Sequence, residues 1–339
     1  MHHRNNFDGL RLIAAYAVLI SHQFALTGAA EPRLFDESLG QLAVLVFFSI
    51  SGYLVAQSWA SDPSLWRFSV RRLLRVWPGL AGVVLITAFV LGPLMSDKSA
   101  PDYFADPKLV QYMSNLLLKR RDELPFEFSG NVRPTWINGS LWTIPLEARC
   151  YFILGLLGVA GLLKPRLLLP IGYLLVACVG LSFIKSPGHL FSLGLYFFAG
   201  ASVYQVRDHL TQRVLMWLSV PLAAAIALAA YSGLKPVALL LAIPIAVVVI
   251  GKARAPILTD AGKFGDFSYG VYLYAFPVQQ TMIWLMKDKV AWPVLLGCTV
   301  IVTSVFAFLS WHLIEKHALK LKPKPRGVAA YGLPVRLSN

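Results

Sequence analysis

Long apolar runs recur from about residue 10 to residue 314, and they constrain this chain more than any other feature. A helix that crosses a bilayer needs about 17–25 mostly apolar residues. Windows of that kind predict ten spans, at 10–28, 41–60, 77–95, 139–162, 167–184, 190–206, 214–232, 236–251, 267–286 and 293–314. Because 57% of the residues are hydrophobic and only 14% are charged, against roughly 25% charged in soluble domains, the sequence predicts an all-α integral membrane protein.

The predicted organisation is one transmembrane domain over residues 1–318, followed by a basic tail over 319–339 that we expect to be disordered. With the N-terminus inside, 19 of the 31 Lys and Arg residues lie in cytoplasmic segments and 11 lie outside, six of them in the polar loop 96–138. Cationic loops favour the cytoplasm, so both termini are predicted to be cytoplasmic. This distribution explains the net charge of +14 through the membrane, and nucleic acid is not a predicted partner.

Arg11 and His22 stand out within the first predicted span, where charged groups cost about 2.5–3.5 kcal/mol at a helix centre. They are eleven residues apart, so they lie on one helix face with a rise of roughly 16 Å between them. His22 is a candidate general base for a hydroxyl. The alternative is a histidine that only hydrogen-bonds a neighbouring helix.

A second cluster, WRFSVRRLLRVWP, carries Arg71, Arg72 and Arg75 on a predicted cationic helix face that ends at Pro78. Guanidinium groups bind phosphate oxygens in a bidentate manner. The same pattern also suits anchoring at the cytoplasmic membrane surface or binding of anionic lipids.

Two further segments carry polar groups into apolar surroundings. Glu147 enters the fourth predicted span, where it would orient His22 or a hydroxyl, or form a structural ion pair with an arginine. The segment GDFSYGVYLYAFPVQQ has Asp266 as a predicted helix cap, Tyr269 among tyrosines typical of an interfacial belt, and Pro277 as an expected helix interruption. The three cysteines have no CxxC spacing, so no metal site is predicted.

Taken in order, these segments resemble the acyltransferase-3 family over nearly the whole chain. The resemblance rests on FDGLR with His22, FFSISGYLV at 47–55, RRLLRVWP at 71–78, SLWTIPLE at 140–147 and SYGVYL at 268–273. It implies a stand-alone enzyme of the bacterial inner membrane. Such an enzyme would move an acyl group, usually acetyl, from cytoplasmic acyl-CoA to hydroxyls of extracytoplasmic or lipid-linked carbohydrate.

The resemblance also assigns roles to individual residues. It implies that His22, Glu147 and Arg11 are catalytic, that Arg71, Arg72 and Arg75 bind the acyl-CoA co-substrate, and that Trp142 and Tyr269 bind substrate. This chain departs from the family pattern at Thr143, at Ala275 and at His317, where serine, histidine and proline are common.

Two routes are open for His22, which would deprotonate the acceptor hydroxyl for direct attack on the thioester or become transiently acylated itself. Arg11 or Glu147 would hold its imidazole in orientation. A rival function is a proton-coupled transporter or flippase, in which His22 and Glu147 would relay protons.

Overall fold

A computed structural model of the chain describes residues 6–183, 188–211, 235–252, 265–287 and 289–324, with scattered positions between 213 and 227. These residues are nearly all helical, as predicted. The α-helices are α1 (Phe7–Thr27), α2 (Leu39–Ser61), α3 (Leu65–Ile86), α4 (Gly92–Met95), α5 (Ala100–Ala105), α6 (Pro107–Met113), α7 (Ile144–Val159), α8 (Leu168–Phe183), α9 (His189–Gln205), α10 (Lys235–Lys252), α11 (Ser268–Met286), α12 (Trp292–Ser310) and α13 (Lys316–Lys320).

Shorter elements join these helices. Two strands of two residues each, β1 (Arg33–Leu34) and β2 (Glu37–Ser38), form an antiparallel hairpin. The other elements are 3-10 turns at Ser114–Leu117 and Gly139–Thr143 and π-helical turns at Thr87–Leu91 and Trp311–Glu315.

Six helical segments in the described part of the chain are long and apolar enough to cross a membrane. They are Phe7–Thr27, Leu39–Ser61, Leu65–Met95, Gly139–Val159, Lys235–Lys252 and Trp292–Lys320. Several apolar helices of spanning length are the mark of an integral membrane protein. The predicted total of about ten spans and the placement of both termini stay predictions, and the predicted span 214–232 falls largely outside the described residues.

The helix that contains the third predicted span, 77–95, begins earlier, at Leu65, so Pro78 lies inside α3. A proline inside a helix removes one backbone donor, and neighbouring side chains can bond the backbone groups that are freed. Pro78 frees the carbonyl of Leu74, four residues earlier; the Tyr269 hydroxyl donates to a different carbonyl close by, that of Val76, at 2.7 Å.

Pro277 does not interrupt its helix either, because α11 runs continuously from Ser268 to Met286. Pro277 has no N–H, so the carbonyl of Leu273, four residues earlier, loses its donor within the helix. The side chain of Asn138 replaces that donor and lies 3.0 Å from the Leu273 oxygen. This bond fixes the start of the 3-10 turn Gly139–Thr143 against the middle of α11.

Helices α2 and α9 pack with their backbones close together at two glycines. A Cβ atom on Gly52 would lie 1.8 Å from the Phe197 carbonyl oxygen, and one on Gly200 would lie 2.1 Å from the Ser49 oxygen. Small residues permit this approach in membrane helices. The segment FFSISGYLV at 47–55 therefore contains Gly52, which permits close helix packing. Its neighbour Ser51 faces the cavity described below.

The long loop 96–138 folds as a compact unit over the end of α3. Tyr103 and Tyr112 are completely buried, and the Tyr103 hydroxyl donates to the Ala88 carbonyl in the π-helical turn at 2.8 Å. Further along, the Asn131 amide donates to the side-chain oxygen of Gln280 in α11 at 2.8 Å. The predicted outer loop is thus anchored to the helices at both of its ends.

Candidate active site

A cavity of about 310 Å³ lies between the helices. Its walls come from α1, α2, α3, α7, the start of α11 and the segment after α12. The polar lining residues are Arg11, Arg72, Arg75, Thr143, Glu147, Tyr151, Asp266, Ser268, Tyr269, Tyr272 and Lys322, and the others include Val44, Phe47, Phe48, Ile144, Trp311 and Leu319. Cations thus share one cavity with carboxylates, hydroxyls and an apolar wall.

Asp266 organises the cationic wall. Its carboxylate pairs with Arg75, lies 3.8 Å from a guanidinium nitrogen of Arg11 and accepts a bond of 2.6 Å from the Ser268 hydroxyl. The prediction that Asp266 caps a helix was wrong, because Phe267 is the N-cap residue of α11 and no side chain caps it. Two guanidinium groups offer the Asp266 carboxylate stronger partners than backbone amides do.

Arg72 lies beside the ring of Tyr151, with 5.8 Å between its guanidinium carbon and the ring centroid. Its Nε atom is buried and has no hydrogen-bond partner among the described residues. Buried donors of this kind are rare and call for an occupant such as an ion or a ligand. Arg72 is therefore the cavity cation best placed to bind an anion.

Glu147 is held by hydroxyl groups. The Ser51 and Tyr151 hydroxyls each donate to its Oε1 atom at 2.6 Å. Within the described part of the chain no Arg or Lys nitrogen lies within 4.0 Å of Glu147, so the alternative of a structural ion pair has no partner there. Glu147 faces the cavity with a fixed side chain.

Arg71 is placed apart from Arg72 and Arg75. Its guanidinium donates to the buried carboxylate of Asp62 at 2.7 Å, and Arg67 binds the same carboxylate through two nitrogens at 2.6 and 2.8 Å. The hydrogen bond from Arg67, aided by Arg71, lowers the pKa of Asp62 to about 2. The predicted cationic face thus divides between a structural ion cluster and the cavity.

His22 is not among the residues that line the cavity. On the cavity wall, Thr143 and Tyr272 share a hydrogen bond of 2.6 Å between their hydroxyls. Phe276, one turn or about 6 Å further along α11, contacts the His22 imidazole edge-to-face with 5.3 Å between ring centroids. Since Arg11 reaches Asp266 and His22 reaches Phe276, both contact the region of α11 from opposite ends of α1.

Several buried polar atoms near Phe276 have no partner among the described residues. They are His22 Nδ1, Gln23 Nε2, Ser140 Oγ and Gln279 Oε1. Gln279 is joined to Gln23 by a hydrogen bond of 2.9 Å, and a Cβ on Gly139 would lie 2.6 Å from the Phe276 ring. A ligand hydroxyl, which both donates and accepts, has the chemistry to pair with such atoms.

The two predicted substrate-binding aromatics lie in different places. Tyr269 lines the cavity, while its hydroxyl is bonded to the carbonyl of Val76. Trp142 is partly buried against the hydrophobic core and contacts His189 edge-to-face, with 4.9 Å between ring centroids. No role had been predicted for His189.

Sequence reasoning gave no role to Ser51, Asp62, Tyr151 or Lys322. Ser51 and Tyr151 carry ordinary hydroxyls inside apolar runs, a pattern without a specific signal. Asp62 had one signal, since an acidic residue five positions before Arg67 and nine before Arg71 can reach both across a helix start. Lys322 lay in the predicted disordered tail.

Comparison with known proteins shows the family to which the chain belongs. Residues 4–312 match the acyltransferase domain of the acyltransferase-3 type. The chain belongs to this family and is therefore an enzyme of the acyltransferase class.

Two curated relatives extend over almost the full length. An O-acetyl transferase of Shigella phage Sf6 is 35% identical over 335 residues, which is 94% of this chain and 97% of the relative. Nodulation protein 10 of Rhizobium leguminosarum bv. viciae is 28% identical over 354 residues, 94% of each chain. No solved structure matches.

Proposed function

We propose that this protein is a membrane O-acetyltransferase that moves an acetyl group from acetyl-CoA to a hydroxyl of a carbohydrate acceptor. One observation carries the proposal: the cationic cavity ends about one helical turn from the residue that contacts His22. An anionic donor needs cations to bind its phosphates, and a hydroxyl acceptor needs a base to remove its proton. This chain has arginines in the cavity for the first task and His22 nearby for the second.

The donor end is the cationic wall. Arg72 and Arg75 would bind phosphates of acetyl-CoA, and the pantetheine arm would extend along the apolar wall toward Thr143 and Tyr272. Arg11 would support Arg75 through their shared partner Asp266. The role of Arg71 in binding acetyl-CoA stays a prediction, because its guanidinium is bonded to Asp62.

The acceptor end is the His22 region. His22 would take the proton of the acceptor hydroxyl while the oxygen attacks the thioester carbonyl. The carbon–sulfur bond then breaks, and the imidazolium returns its proton to the departing thiolate. Glu147, fixed by Ser51 and Tyr151, would steady groups that cross the cavity; no hydrogen bond joins it to His22 in the described part of the chain.

The distribution of Lys and Arg residues supports the proposed topology, and the named relative supports the proposed reaction. With the cation-rich side in the cytoplasm, the donor cavity opens to cytoplasmic acetyl-CoA, and His22 faces the extracytoplasmic side of a bacterial inner membrane. The phage relative is named an O-acetyl transferase, which supports acetyl as the group transferred. A carbohydrate or lipid-linked sugar is the acceptor that fits the cluster of unpaired polar atoms.

Expression in a bacterium tests this function. Surface carbohydrate from expressing cells should carry an added acetyl group by mass spectrometry. Purified protein in nanodiscs should release CoA from acetyl-CoA faster when that carbohydrate is added. CoA release without any acetylated carbohydrate would contradict the proposal, and proton-coupled uptake of a solute by reconstituted protein would favour the transporter instead.

A further inference from the structure

The segment after α12 enters the wall of the donor cavity, although the sequence predicted a disordered tail from residue 319. Trp311 in the π-helical turn, Leu319 in α13 and Lys322 just after it all line the cavity. This segment packs against α3, the helix that carries Arg72 and Arg75. Lys322 is thus brought to the cationic wall by the fold.

The charges in the wall do not balance. Among the lining residues, the carboxylate of Asp266 is neutralised by Arg75 and Arg11. Arg72 and Lys322 have no carboxylate within 4.0 Å in the described part of the chain. Glu147 acts on Arg72 from beyond that distance, so the lining still has four cations against two carboxylates. Arg72 and Lys322 repel each other, and this cost falls when an anion binds between them.

We propose that Lys322 and Arg72 together bind a phosphate group of the acyl-CoA donor, so that the segment Trp311–Lys322 is part of the donor site. This inference rests on the proposed function, which supplies the donor. Lys322 is partly exposed and lies near Arg72 and Arg75, so the phosphates of a bound donor would lie beside it while the thioester extends toward Thr143.

The ionisation of Lys322 gives a readout that a merely structural lysine would lack. Burial, with the nearby cations of Arg75 and Arg72, lowers the pKa of Lys322 to about 8. Only the protonated ammonium attracts phosphate, so donor affinity should fall as the pH rises through about 8. The charged groups that face Lys322 are Arg71, Arg72, Arg75 and Asp266.

Calorimetric titration of full-length protein in nanodiscs of zwitterionic lipid tests the inference, with CoA and pantetheine as probes. Lys322→Gln should weaken CoA binding about tenfold, as expected for loss of one charged contact worth about 1.4 kcal/mol, and should leave pantetheine binding unchanged. Lys322→Arg should restore CoA affinity and abolish its decline near pH 8. Lys324→Gln, which removes an exposed charge two residues away, is the matched control.

Unchanged CoA affinity in Lys322→Gln would overturn the inference, as would equal losses for CoA and pantetheine. A variant that loses only its affinity for vesicles rich in anionic lipid would assign Lys322 to a lipid headgroup, which also overturns it. If the wild-type protein binds no CoA, the proposed function fails instead.

Discussion

Arg71 and Arg72 belong to one arginine motif in the sequence, but they differ in role because only Arg71 has a carboxylate partner within 4.0 Å among the described residues. Arg71 and Arg72 are adjacent, yet successive side chains of a helix point about 100° apart. Arg71 therefore turns to Asp62, while Arg72 turns to the cavity. The arginine motif, predicted to bind phosphate as one unit, therefore has two parts. Arg71 belongs to a structural ion cluster, and Arg72 is open to a ligand.

Asp62 binds Arg67 and Arg71 in the structural ion cluster. Asp62→Asn should lower the stability of the protein by roughly 2 kcal/mol, the linkage value of a carboxyl whose pKa falls from near 4 to about 2 on folding. Because the folded pKa is depressed, this contribution is present above about pH 4 and is lost as the pH falls toward 2. Thermal unfolding in detergent at pH 7 measures the loss.

Glu123→Gln is the control, since Glu123 forms an exposed pair with Lys108 of the kind that contributes little. Equal unfolding temperatures for Asp62→Asn and wild type would show that the cluster does not stabilise the fold.

Arg72 is the residue of the arginine motif that lines the cavity without a carboxylate within 4.0 Å in the described part of the chain. Arg72→Ala should weaken CoA binding more than Arg72→Lys does, because lysine keeps the charge but loses the planar fork. Losses of about tenfold or more are expected for alanine. Calorimetry in neutral nanodiscs gives both affinities. Full CoA affinity in a folded Arg72→Ala protein would return this residue to membrane anchoring.

At the scale of elements, the bond from Asn138 to Leu273 ties the 3-10 turn to α11 through a proline. Asn138→Leu should destabilise the protein by about 1 kcal/mol and also lower transferase activity, since Trp142 and Glu147 follow on the same turn and helix. In Pro277→Ala, the new N–H can bond the Leu273 carbonyl within the helix. The cost of Asn138→Leu should then be smaller in that background.

A double-mutant cycle on thermal unfolding measures this coupling. Additive effects of Asn138→Leu and Pro277→Ala would contradict the account.

Another element-scale prediction concerns the contact between α2 and α9. Gly52→Ala places a methyl group where the Phe197 carbonyl lies, so the helices must separate. A cost of about 1–3 kcal/mol is expected, together with reduced activity because Ser51 moves away from Glu147. Gly172→Ala is the control, since a Cβ there meets open space. A Gly52→Ala protein as stable and active as wild type would exclude this close packing.

Sequence reasoning succeeded where the signal was local. Apolar length predicted a nearly all-helical chain, and an eleven-residue spacing predicted that Arg11 and His22 lie on one face of their helix. Sequence reasoning failed where the position of a residue depends on a partner that is distant in the chain. Pro277 stays inside its helix while Asn138, far away in the chain, bonds the carbonyl that the proline frees, and Pro78 also lies within α3. Asp266 pairs with Arg75 across 191 positions, and Lys322 enters the cavity only after the last helices have packed.

At the scale of the whole molecule, Arg11 in the cationic cavity and His22 contact the region of α11 from opposite ends of α1. The orientation prediction places the cavity mouth in the cytoplasm. In a protein whose native cysteines are replaced by alanine, Val132→Cys in the long loop should react with an impermeant thiol reagent on intact cells. Lys324→Cys should react only after the cells are opened. The reverse pattern would invert the topology and place the donor cavity on the wrong side for cytoplasmic acetyl-CoA.

The proposed function assigns donor binding and proton transfer to different residues, and His22→Ala separates the two. Transfer of labelled acetyl from acetyl-CoA to the isolated carbohydrate should fall about 10²- to 10⁴-fold, while CoA affinity in the same nanodiscs stays at the wild-type value. The exposed His209→Ala is the matched control and should retain full transfer. A His22→Ala protein that acetylates the carbohydrate at the wild-type rate would contradict the account.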